Sequence, residues 1–382
     1  DEEMFDCLGL DESAIILSCP NEFSDEQAYE YLEASSGFST FPEWSPRKPL
    51  ICQLFSKLEP NILNEIISNS SGEVDFFEAA FRAICERETR IHHTIDAPKL
   101  MKILQGISRV MRRKSELKEE ITPIEINKVF HDISGYSPAD EAASILQRLP
   151  YLGRVDSGSG NRRFIDAYAK SGICGIDICE AFRLTDQVIT NTKYLKPLGV
   201  FGSRFLGAKG LLGEDAKKYV RLCSSRGNTQ IAADYVCSEI AQSAEIIDLG
   251  TTPVRDAVFD ELSLSDIEVR KLNLDNCFID RLKVDGATLV DCKISNCAIV
   301  SLEGISDRSK LPDAFDSGCE IQSFSSTDNV ARISELPLND KHKTLVAIVK
   351  KLFFQPGSGR KEGALLRGAT KYWDVNTAQA TL

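Results

Sequence analysis

"LNLDNCFIDRLKVDGATLVDCKISNCAIVSL" (residues 272–302) repeats with a beat of five. Leu272, Cys277, Leu282, Ala287, Cys292, Cys297 and Leu302 form one series, and Leu274, Ile279, Val284, Leu289, Ile294 and Ile299 form a second, two residues behind. Positions five apart on an α-helix rotate by about 140° per step, which spreads the apolar residues around the cylinder. On a strand, an odd spacing sends successive members to opposite faces. The beat is explained if the chain turns a corner every five residues and points two side chains of each pentad inward. Stacked coils then bury a continuous apolar column.

Counting backwards adds Ala257 with Phe259, Leu262 with Leu264 and Ile267 with Val269, and then Thr252 with Val254 and Ile247 with Leu249. About eleven pentads result, or just under three coils at four pentads per coil. Outward positions are polar, with Phe278 as the exception, an aromatic that predicts a packed or partner-contacting surface. Cys277, Cys292 and Cys297 stand where a small apolar side chain is wanted, so their expected role is packing. The pattern resembles the pentapeptide-repeat family, which implies a right-handed, four-sided β-solenoid. Some acidic members of that family mimic DNA, but residues 247–302 hold ten Asp/Glu against six Lys/Arg. Such a mixed field favours a docking or spacer module.

The chain has 382 residues, 42% hydrophobic and 27% charged, with a net charge of −12. That length predicts several structural units. No apolar run is long enough for a membrane helix, and the charge argues against nonspecific nucleic-acid binding. Twelve cysteines without a CxxC pair or zinc-like spacing predict a reducing, cytoplasmic setting. The start, DEEMFDCLGLDESAIILSC, reads as part of a longer or processed protein. From Lys341 to Leu382 eight Lys/Arg face Glu362 and Asp374, a local balance of +6. Within it Lys350, Lys351, Arg360, Lys361 and Arg367 are candidate partner or anion contacts; a solvated face or a contact with an acidic partner surface is the alternative.

Ahead of the solenoid, AIILSC predicts a strand, and Ser24 with Gln27 predicts a capped helix. Phe23, Ser24, Gln27, Tyr31 and Leu32, followed by FPEWSPRKPLICQLF, resemble the end of the core of NACHT-type P-loop ATPases. That resemblance implies Pro49 near an adenine and Arg47 near phosphates, although Pro46 and Pro49 can equally be linker punctuation. Asn61 to Leu117 has helical spacing. Thr122-Pro123-Glu125 and Ser137-Pro138-Asp140 predict two helix starts, and YLGRV and RRFID flank the turn DSGSGN. Two helices followed by a hairpin is winged-helix order. Asp140 and Glu141 oppose a DNA role, while Arg162 and Arg163 on the hairpin keep one open. The segment resembles the winged-helix arm of STAND ATPases, the class that includes NACHT proteins, and by that resemblance His131 could touch a phosphate.

No catalytic or metal-binding signature is complete. GSRFLGAKG (202–210) has Ala208 where a Walker A loop needs lysine, and QPGSGRKEG (355–363) reads as a turn. The expectation is a mixed α+β chain: ATPase-core remnant (1–50), helical lid (51–120), winged helix (121–190), helical connector (191–245), solenoid (246–304) and a basic winged-helix-like unit (305–382). Its implied role is the regulatory portion of a bacterial STAND ATPase in anti-phage defence. ATP or ADP and magnesium would be held by an upstream domain, and the partner would be a protein or that domain. Self-association and a stand-alone docking scaffold remain alternatives, and no membrane contact is expected.

Overall fold

The computed structural model describes residues 22–36, 42, 45, 47–56, 64, 66, 72–91, 95–115, 119–156, 158–184, 187–209, 213–242, 245–250 and 253–325. The segment AIILSC and everything after Ser325, including Lys350, Lys351, Arg360, Lys361 and Arg367, lie outside them. Among the described residues are eleven helices and twelve strands, and none of these helices is long and apolar enough to cross a membrane. The chain divides into two compact units between Ala83 and Ile84.

In the first unit α1 (Asp25–Ser36) opens with a reciprocal cap, as expected: the Gln27 amide N–H donates to Ser24 Oγ (3.2 Å), and the Ser24 N–H donates to Gln27 Oε1 (2.9 Å). α2 (Pro49–Phe55) has Pro49 at its first position, where the missing N–H costs nothing. Ala28, Leu32, Cys52, Phe55 and Phe76 form the core of this unit, with the Phe55 and Phe76 rings stacked 3.8 Å apart. Phe76 belongs to α3 (Gly72–Ile91), which runs across the division.

The second unit begins as a helical body. α4 (Ala97–Arg112) is capped by Asp96, which accepts the Lys99 N–H, and buries Leu100, Ile103, Leu104, Ile107 and Met111. α5 (Pro123–Ser134) carries a full capping box between Thr122 and Glu125 and ends at Gly135, whose φ of 79° suits only a residue without Cβ. α6 (Asp140–Leu146) corrects the second expected cap: its N-cap is Ala139, with no side-chain bond, so Ser137 does not perform that role. β1 (Leu152–Arg154) and β2 (Arg162–Phe164) form an antiparallel pair, Leu152 opposite Phe164, around a turn in which Asp156 accepts the Gly158 and Ser159 amides.

α7 (Ala167–Leu184) is buried around most of its circumference, and α8 (Gln187–Thr190) follows it. α9 (Val200–Ala208), α10 (Glu214–Ser225) and α11 (Gln230–Gln242) complete the body. Gly202 and Gly207 of GSRFLGAKG sit within α9, where they permit close helix packing. A Cβ on Gly202 would lie 2.7 Å from the Ser171 carbonyl, and one on Gly207 would lie 2.9 Å from that of Ser238. The described residues between 191 and 242 are therefore part of this packed body as well as the route to the solenoid.

From Ile246 the chain winds into a parallel β-solenoid of about four turns. β3 (Ile246–Asp248), β6 (Glu268–Arg270) and β9 (Thr288–Val290) stack in one sheet. β4 (Val254–Arg255), β7 (Asn273–Asp275) and β10 (Lys293–Ser295) stack in a second. The third holds β5 (Val258–Ser263), β8 (Phe278–Lys283), β11 (Ala298–Glu303) and β12 (Glu320–Ser325). Val258 pairs with Phe278 and Phe278 with Ala298, a period of twenty residues, or four pentads. Both five-residue series face inward; Ile267, Ala287, Leu289 and Cys292 are half-buried, and the other described members are buried.

Corners are turned by residues with left-handed backbone: Asp256, Asn276 and Asn296 in one column, Lys271 and Asp291 in another, Asp266 and Gly286 in a third. Asn and Asp tolerate this conformation better than other side chains. At Gly286 a Cβ would fall 2.3 Å from Asp266 Oδ1, so a larger residue there would have to displace that carboxylate. Glu261, Arg281 and Ser301 bend without positive φ, which is why the third sheet has six-residue strands spanning two pentads.

The solenoid does not end at residue 304. β12 pairs in parallel with β11, Glu320 beside Ala298, a step of twenty-two residues in place of twenty. One extra residue falls before Phe315, which bridges Ile294 in parallel after a 3-10 turn (Arg308–Lys310), and the other between Phe315 and Glu320; together they hide the beat from a sequence count.

Candidate functional site

The helical body and the first coil are joined by a chain of buried polar contacts. Arg112, in the last turn of α4, is 1% exposed; its guanidinium pairs with Asp234 on α11 and donates from Nε to the Lys196 carbonyl (3.1 Å). The Tyr194 ring lies 4.3 Å from the guanidinium carbon. Burial alone would lower the Arg112 pKa, but the adjacent Asp234 carboxylate outweighs it and the net direction is upward, so the cation persists. Asp234 Oδ1 also accepts the Leu198 N–H (3.0 Å).

One turn away, the Gln230 side chain is 2% exposed and acts as a neighbouring strand would. Its Nε2 donates to the Val258 carbonyl (2.8 Å), and its Oε1 accepts the Val258 N–H (2.9 Å). An open first strand needs its backbone groups satisfied. A single glutamine supplies both partners there, and so ties α11 to β5. Arg109 and Asp177 add a bridge between α4 and α7, at 2.6 Å and 3.2 Å.

Beside this junction is a cleft of about 330 Å³, walled by the start of α9, by α11 and by β5. Leu198, Val200, Ala233, Ile240, Leu262 and Ile267 give it an apolar lining, and Arg204, Asp234, Asp260 and Glu261 give it charge. Partial loss of water raises the Asp260 carboxyl pKa; Lys170 opposes this, and Asp280, Glu119 and Asp234 add to it. Burial pushes the Cys237 thiol up, so this sulfur is a neutral wall atom at ordinary pH. The lining holds no histidine, and among the described residues no group of three or more His, Cys, Asp or Glu is arranged to hold a metal ion. The lining forms an apolar trough with carboxylates at its solenoid side.

The residues singled out from sequence do not converge here. Arg47 pairs with Asp25 at the start of α1, and Pro49 opens α2, both in the first unit. His131 is exposed in the last turn of α5, in the second. Arg162 is corrected as a surface contact. It is 6% exposed, and its guanidinium donates to the carbonyls of Gln147, Gly160 and Asn161, so its charge fixes the hairpin. Arg163 is exposed on β2. Phe278 is 45% exposed on β8, one rung from Val258 and hence near the cleft. Arg112, Gln230, Asp234 and Asp260 carried no local motif. Of these only Asp260 had a readable signal, since Asp280 follows it at the coil period of twenty. No family model matches this chain, and neither a curated protein nor a solved structure does.

Proposed function

We propose that this chain is a non-catalytic docking and relay module, in which the helical body carries a conformational signal and the solenoid, fixed to it, presents a partner-binding cleft. The observation that carries the reading is the joint construction of the cleft. Its walls come from α9 and α11 on one side and β5 on the other, so any shift of the helices reshapes the site. The Arg112–Asp234–Gln230–Val258 chain supports it, because it links α4 to the solenoid through α11 without an intervening loop.

The biological setting within this reading is that of a cytoplasmic bacterial STAND (NACHT-like) ATPase in anti-phage defence. The order α5, α6, β1, β2 is taken as its winged-helix arm, and the solenoid as a right-handed pentapeptide-repeat segment. ATP or ADP with magnesium would then be held by a P-loop domain ahead of residue 1, and this chain would respond to it. Two measurements test the reading. The encoding gene should contain a GxxxxGK[ST] segment upstream of Asp1. In the full-length protein, ATP with magnesium should change amide hydrogen exchange in α4 and α11. An upstream region without that segment removes the ATPase setting and leaves a docking scaffold; a segment present with no exchange response removes the relay.

A further inference from the structure

The outer face of the third sheet stacks charge in columns, and all but one of the charged columns near the cleft are balanced. Arg281 lies 3.0 Å from Glu261 and 3.6 Å from Glu303, and Lys283 reaches Glu261 at 2.8 Å. The exception is the column of Asp260 and Asp280. The register pairs Phe259 with Ile279 and Glu261 with Arg281, and the two aspartates stand between those rungs on adjacent strands, which lie about 5 Å apart. Among the described residues neither has a hydrogen-bond or ion-pair partner. Like charges directly opposite one another destabilise a sheet.

Asp260 lines the 330 Å³ cleft, and Asp280 stands on the neighbouring strand β8. Phe278 is exposed in the same strand as Asp280. We infer that this cleft docks a segment of a partner protein that carries an arginine or lysine, its cationic head against Asp260 and Asp280 and its aliphatic stem on the apolar wall. The size of the cleft exceeds the need of a lone hydrated cation, and its apolar lining suits the methylene stem of a long basic side chain. Phe278 adds a ring face that a guanidinium can cover. Burial is the main cause of the raised Asp260 pKa, and the Asp280 carboxylate adds to it against the opposing Lys170. The inference rests on the docking reading above and is independent of its ATPase setting.

The test uses the whole chain and three probes: acetylated, amidated Leu-Arg-Leu-Arg-Leu, its citrulline counterpart and its glutamate counterpart, titrated by calorimetry at low salt. The arginine peptide should bind saturably and more tightly than the citrulline peptide, and the glutamate peptide should not bind. Asp260→Asn and Asp280→Asn should each weaken binding by about tenfold, in keeping with loss of a charge-assisted contact. Both variants should melt at or above the wild-type temperature, because each relieves a like-charge contact; lower melting would overturn the premise of an uncompensated pair. Binding left unchanged in the double variant, equal binding of the glutamate peptide, or no saturable arginine binding would overturn the assignment. If these fail while ATP still changes exchange in α4 and α11, the basic partner is wrong and the relay stands.

Discussion

The helical body and the solenoid of the second unit solve the same problem, burial of an apolar interior, by opposite means. The body concentrates its specificity in a few long-range contacts: Arg112 meets Asp234 across 122 positions of sequence, and Arg109 meets Asp177 across 68. The solenoid distributes it, each coil resting on the one twenty residues earlier, with corners and inner residues repeating. A body built this way should fail at single points, whereas a stack should lose stability in increments.

The largest expected effect is therefore in the body. Asp234→Ala leaves the Arg112 cation buried and unpaired and orphans the Leu198 N–H, so it should cost about 3–5 kcal/mol in urea unfolding. Arg112→Met with Asp234→Leu should recover most of that loss, because the charge then disappears with its partner. A double variant as unstable as the single one would mean that the ion pair is not what holds α4 to α11.

In the solenoid, Leu282→Ala removes a fully buried inner residue with a rung on either side. The expected cost is about 2–4 kcal/mol, and hydrogen exchange should rise mainly in β5, β8 and β11. Equal loss of protection in α4 and α7 would show that the two regions unfold as one and would erase the contrast.

The smallest effect is electrostatic. Burial would raise Glu125, but Lys114 at 2.8 Å and the Thr122 cap outweigh it, and its pKa lies below the ordinary 4.5. A carboxylate depressed in the folded state adds stability that is fully present above about pH 4.5 and is lost as pH falls through the folded value. Glu125→Gln should remove that part of the acid dependence of melting while leaving the solenoid strands protected. An unchanged acid profile would place the dependence elsewhere.

The same contrast explains what could be read from sequence. The solenoid was legible because repetition turns a tertiary property into a local one: each pentad states the same inward pair. Where a two-residue excess precedes Glu320, the beat breaks, and the last turn was missed although its strand pairs like the others. Helix starts at Ser24 and Thr122 were legible because capping partners lie three residues apart. Ser137 was misread since the N-cap is two residues later, at Ala139, and the helix begins at Asp140. Arg162 read as a free basic residue because nothing nearby in sequence reveals that its carbonyl partners include Gln147, fifteen positions earlier. Gln230 reads as any polar helix residue until the strand it completes, twenty-eight positions on, is in place.

The Gln230 clamp is where the two regions become one object, and the exchange rate of the Val258 amide reads it directly. In Gln230→Ala, that amide and its β5 neighbours should exchange markedly faster while Ile279 and Ile299 stay protected, since the upper rungs keep their own partners. A Val258 amide as slow in the variant as in the wild type would contradict the claim that the helical body holds the solenoid by completing its first strand.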